Sequence, residues 1–183
     1  MGNPVIDTLL AQHREMREVL GFVTAQLDMI ARNEQPDLML LNEALRYMRR
    51  FAGLVHHPVE ERVCERLLEL RPALQPEVGR LSDQHRRIYE LEAWLAEAVQ
   101  QAAREGAAAF PRLLDFGRTY LLVQKQHSEM EEDCIFPHAL AVLRAGDWRL
   151  LRRRIKALSD PRLQEIAAHC LRVLRRHPRG AAA

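Results

Sequence analysis

The sequence predicts an all-α fold: an up-down-up-down four-helix bundle followed by one or two short C-terminal helices. Three observations predict it. The composition is rich in Leu, Ala, Arg and Glu and only 5% aromatic, which favours helices over sheets. Apolar residues recur at spacings of three and four through four long stretches. The breaks between these stretches are short, so consecutive helices must pack antiparallel. At 183 residues the chain divides into a bundle over 1–145 and a helical extension over 146–183 packed on the same domain.

Asn3 before Pro4 is a helix-start signal, and Ile6, Leu9, Leu10, His13, Met16, Leu20, Val23, Leu27 and Ile30 then follow at helical spacing. Polar residues from Asn33 to Pro36 end this first helix. The second carries Leu41, Leu45, Met48, Ala52, His56, Val59, Val63 and Leu67. Pro58 lies inside it, lacks a backbone donor and predicts a kink. LRPALQPEVG closes the second helix and opens the third, whose stripe is Val78, Leu81, His85, Ile88, Leu91, Leu95 and Val99. Gly106 and its neighbouring alanines are the next break. The fourth helix carries Leu113, Phe116, Tyr120, Val123, His127, Met130, Cys134 and Ile135, and reaches Leu143. Asp147 is the expected N-cap of a short helix, and Ser159, Asp160 and Pro161 start a last one ending near His177.

Several function classes fall away on composition. Lys and Arg number 27 against 25 Asp and Glu, so bulk charge announces neither nucleic acid nor membrane. Cys64, Cys134 and Cys170 are widely spaced and contain no CxxC pair, which fits a reducing cytoplasm better than a disulfide framework. The start MGNPVIDTLL lacks the basic head and long apolar run of a secretory signal, and Ile6 stands where a myristoylation motif wants Ser or Thr. No run approaches the roughly 18 apolar residues of a membrane span. The expectation is a soluble cytoplasmic protein.

His13, His56, His85 and His127 each lie in phase with the apolar stripe of their own helix, so all four point inward. One buried histidine is ordinary core; one per helix is not. Residues four apart on a helix differ by about 40° in rotation, so His56 with Glu60, and His127 with Glu131, project from common faces. His56 follows His13 by 43 residues and His127 follows His85 by 42, as in a duplicated hairpin closing on itself. Four imidazoles and two carboxylates exceed the four donors of a structural zinc and suit two metals. A mixed nitrogen and oxygen set inside a four-helix bundle favours iron, with manganese and zinc as substitutes.

The stretch HHPVEERV at 56–63 leaves a choice of register, because His57 and Glu61 are also four apart. On an unbroken helix the face of His57 collects Arg46, Arg50 and Gly53, whereas that of His56 collects Ala52, Val59, Val63 and Leu67. This phase assigns His56 and Glu60 to the core and His57 and Glu61 to the outside. The same test prefers Glu131 over Glu132.

With His13 in the first helix, HHPVEE in the second, His85 within SDQHRRI in the third and HSEMEEDCIFP in the fourth, the chain resembles the hemerythrin-like HHE cation-binding domains. The resemblance covers roughly residues 5–160, with AGDW and SDP similar to the usual tail. It implies a non-haem di-iron site with His13, His56, Glu60, His85, His127 and Glu131 as ligands and the glutamates bridging. The oxygen-carrying hemerythrins use five histidines with one Glu and one Asp. This chain looks instead like the four-histidine, two-glutamate branch that includes bacterial iron-sulfur repair proteins. Members bind, sense or react with oxygen, nitric oxide or peroxide, so the implied partner is a small diatomic or peroxide.

The alternative is a metal-stabilised regulatory or interaction module without turnover, with a protein partner or a second copy of the chain. RRRIK at 152–156 and RVLRRHPR at 172–179 are basic but carry no nucleic-acid-binding motif. Tyr89 and Tyr120 stand at helical distance from His85 and His127, as outer hydrogen-bond donors or as core. Cys64 and Cys134, near the glutamates, are redox partners or inert packing.

Overall fold

The structure, a computed structural model, describes residues 3–158 and 161–176. Ser159, Asp160 and His177, expected at the ends of the last helix, lie outside the described residues. Among those described, every regular element is helical. Helix α1 (Pro4–Ala31) starts where the Asn3 side chain accepts from the Val5 amide at 3.0 Å. The second rod is α2 (Leu38–Phe51), a π-helical turn (Ala52–His56) and α3 (His57–Leu70). After a 3₁₀ turn over Pro72–Leu74 comes α4 (Gln75–Glu105). It ends at Gly106, whose φ of 65° suits a residue without Cβ. The fourth rod is α5 (Phe110–Met130), a π-helical turn (Glu131–Ile135) and α6 (Phe136–Val142).

Contacts run from α1 to α2, α2 to α4, α4 to α5 and α5 back to α1, which closes a four-helix bundle. Helix α7 (Ala145–Leu158) packs on α3, and α8 (Pro161–Arg175) on α2. Asp147 lies within the first turn of α7 rather than at its N-cap. From there its carboxylate accepts from the Arg144 amide at 2.8 Å, the reach-back of a capping box, and also from Arg66 of α3 at 2.8 Å.

Both π turns stand directly before an X-Pro pair, His57-Pro58 and Phe136-Pro137. Proline has no N–H, and its ring crowds the carbonyl one turn back, so the preceding turn widens. The His57 amide accordingly donates to the carbonyl of Ala52, and that of Phe136 to Glu131, each five residues back. Pro58 thus produces a widened turn with an extra residue, where a kink was expected.

The fourth rod also buries a different stripe. Leu113, Gly117, Tyr120, Gln124 and His127 face inward, while Phe116 and Val123 are half-buried. Gly117 permits the close approach of α1: a Cβ there would stand 2.5 Å from Leu27 Cδ1.

The core is split by a polar layer. One apolar cluster holds Met16, Ala52, Ile88 and Tyr120; the other holds Leu9, Val63, Leu81 and Ile135. His13, His56, His85 and His127 fall between these pairs on all four rods, so the bundle sandwiches the layer between two dry regions.

Candidate metal centre

The layer contains His13, His56, His57, Glu60, His85, His127 and Glu131, all buried. Their ligand atoms form two groups, His13, His56, Glu60 and Glu131 in one and His57, Glu60, His85 and His127 in the other, with the atoms of each group within 4.8 Å of one another. All six residues singled out in the sequence are therefore brought together. His57 is a seventh, and its assignment to the outside is corrected. The extra residue in the 52–56 turn shifts the helix phase: His56 continues the stripe of Leu45, Met48 and Ala52, and His57 begins the stripe of Glu60, Cys64 and Leu67. Two successive histidines thus face inward. Glu61 is exposed, as the sequence phase expects.

Glu60 belongs to both groups. Its Oε1 lies 2.5 Å from His56 Nε2 and 3.5 Å from His13 Nε2, while Oε2 lies 3.6 Å from His85 Nε2. Glu131 Oε2 stands 3.1 Å from His13 Nε2 and 3.3 Å from His127 Nε2, so it too faces histidines of both groups. Three of the outer nitrogens have partners of their own. His56 Nδ1 is 2.8 Å from Gln12 Oε1, His13 Nδ1 is 2.7 Å from Glu132 Oε1, and His57 Nδ1 is 2.9 Å from the Tyr89 hydroxyl. These contacts turn each Nε2 inward.

The inner atoms are left over. His13 Nε2, His56 Nε2, His85 Nε2, His127 Nε2 and both oxygens of Glu60 and Glu131 are buried without a properly directed hydrogen bond, although several lie at ion-pair distance. Buried polar atoms are rarely orphaned, and two buried carboxylates that pair with no Lys or Arg among the described residues need a counter-charge. Divalent cations supply it, and the nitrogen and oxygen donors suit them. The residues fit a metal centre.

Without a cation, protons must fill that role. Burial opposes protonation of His13, but Glu131 and Glu60 outweigh it and raise the imidazole to about 10. Burial would also raise Glu60, yet His56 and His13 hold its carboxyl well below the usual range. Burial and the Glu60 charge push Glu131 well above it. Burial lowers His56 and His57, and takes His127 to about 3. Metal entry must therefore displace protons.

Of the tyrosines, Tyr89 reaches the layer through His57. Tyr120 instead donates to Glu92 at 3.1 Å and accepts from Gln124 at 3.0 Å, in a buried cluster of its own. Cys64, Cys134 and Cys170 are free thiols, and burial pushes that of Cys64 up.

A four-helix bundle with histidine and carboxylate donors gathered in one buried layer defines a metal-binding helical protein. The family model described as hemerythrin HHE cation binding domain matches residues 5–139, so the chain belongs to that family. The matched region contains every residue of the layer; AGDW and SDP lie beyond it. No curated protein and no solved structure matches the chain. Among the described residues no helix is long and apolar enough to cross a membrane.

Proposed function

We propose that this chain is a non-haem di-iron protein whose centre binds, senses or reacts with oxygen, nitric oxide or peroxide. His13, His56, Glu60 and Glu131 would hold one ion, and His57, His85, His127 and Glu60 the other. The observation that carries the reading is the division of the layer into two four-atom groups sharing Glu60. Four donors to each ion leave positions for a small exogenous ligand, and iron bound there supplies one-electron chemistry. The protein's share is to exclude bulk water, through the two apolar clusters, and to fix the rings of His13, His56 and His57 by their outer nitrogens. A groove of about 660 Å³ along α1 and α8 reaches Gln12, which holds His56, and a small molecule would approach from this side.

Rapid mixing of the anaerobic iron(II)-loaded protein with oxygen, nitric oxide or peroxide tests this. Fast spectral changes are expected, and they are expected to vanish in Glu131→Ala. The second reading is a metal-stabilised interaction module in the cytoplasm. It is supported by α8, a helix beyond the matched region that packs on α2. It requires slow reaction with all three reagents together with a large loss of melting temperature on metal removal.

A further inference from the structure

Glu132 takes no part in the function proposed above, yet its surroundings give it a role. Its Oε1 lies 2.7 Å from His13 Nδ1, on the side of the ring away from the centre, and accepts from Arg17 Nη1 at 2.7 Å. Glu132 is 30% exposed and His13 1%. When Nε2 faces a metal, Nδ1 carries the proton and donates a hydrogen bond to this carboxylate. A histidine backed by an anion is a stronger donor to metal than one backed by a neutral group. The other described outer nitrogens have no anion. His56 meets the amide oxygen of Gln12, His57 meets the Tyr89 hydroxyl, and His127 Nδ1 is buried without a hydrogen-bond partner.

We propose that Glu132, anchored by Arg17, is a positioning residue that strengthens His13 as a donor. An ion held by His13, His56, Glu60 and Glu131 would thereby be the first to pass from the 2+ to the 3+ state, its electron leaving to a one-electron redox mediator. The inference rests on the di-iron reading. It explains the second glutamate of HSEMEED as an arm from the 131–135 turn to α1, reaching the ring from behind while Glu131 reaches it from the front.

The test uses the full chain loaded anaerobically with iron(II), and reads bound iron and the midpoint potential of the first one-electron oxidation against redox mediators. Glu132→Gln keeps an acceptor for His13 but removes the charge. Its iron content should match the parent's, and its potential should rise; a tenfold loss of ferric over ferrous preference corresponds to about 59 mV. Glu132→Ala should raise the potential and also weaken iron binding by about 10- to 100-fold. Gln12→Glu, which places an anion behind His56, should lower the potential. An unchanged potential in Glu132→Gln or in Gln12→Glu, with iron bound as in the parent, would overturn the proposal and reduce Glu132 to a tie between helices. Absence of iron in the parent chain would overturn the di-iron reading itself, and it would appear before any variant is compared.

Discussion

The His57 Nδ1 nitrogen lies 2.9 Å from the hydroxyl of Tyr89, and the Tyr89 ring rests on Gly53, where a Cβ would stand 3.3 Å from it. Tyr89 follows His85 by one turn of α4, so the same helix supplies one histidine of the group and holds another in place. His57→Ala should lower iron content as much as His56→Ala does, whereas Glu61→Ala should leave it unchanged. Tyr89→Phe should keep both ions but weaken binding by about tenfold, the low end of the usual effect of losing an outer hydrogen bond. Elemental analysis and chelator competition read these values. Full iron retention in His57→Ala would return His57 to a packing role.

Gly117 is fixed by packing and not by backbone conformation. Its missing Cβ would meet Leu27 Cδ1 at 2.5 Å and Cδ2 at 2.7 Å. Gly117→Ala should gain up to about 1 kcal/mol of helix propensity and lose about 1–3 kcal/mol to overpacking, so the net change is destabilising. Urea unfolding of the chelator-treated variant measures it. An increase in stability would mean that Leu27 swings aside freely.

Glu92 offers a pH signature outside the metal layer. Burial lifts its carboxyl from 4.5 to about 7, against the opposing Tyr120 hydrogen bond and the Arg49 charge. The folded chain holds this proton where the unfolded chain has released it. Its contribution is thus complete below pH 4.5 and is lost as pH rises through 7. Glu92→Gln keeps a neutral partner for Tyr120 and removes the ionisation. The variant's advantage over the parent should therefore be near zero at pH 4.5 and grow to on the order of 3 kcal/mol above pH 7. Urea titrations of both chains across this range check the sign. A parent chain more stable than the variant at pH 8 would contradict it.

Metal removal should lower the melting temperature. Free iron(II) at a hundred times its dissociation constant adds about 2.7 kcal/mol per site, so two sites add about 5 kcal/mol, or roughly 10–20 °C for a chain of this size. Calorimetry with and without chelator reads the difference. Equal melting curves would mean that iron has no selective hold on the folded state.

Much of the fold was legible because each rod keeps a 3.6-residue period for long stretches. The third helix is the clearest case: every residue of its stripe from Val78 to Val99 is buried. Its bounds needed only Pro76 and Gly106. His57 was not legible by phase alone, because that argument assumes about 100° per residue throughout, and the widened turn before Pro58 breaks the assumption. The signal available was HHP itself, a proline placed where the preceding turn must open, and FPH at 136–138 carries the same signal in the fourth rod. Gly117 and Gln124 were missed for another reason. Hydrophobic periodicity does not count a glycine that admits a neighbouring helix, or a glutamine that faces a buried tyrosine.

The most direct measurement of the central claim is the stoichiometry of anaerobic iron(II) loading in the parent chain and in Glu60→Ala. Glu60 turns Oε1 to His56 and Oε2 to His85, so it serves both groups. The account predicts about two irons per chain in the parent, matching the two groups of donors, and a loss from both positions in Glu60→Ala. One iron or none in the parent, or two retained without Glu60, would contradict it.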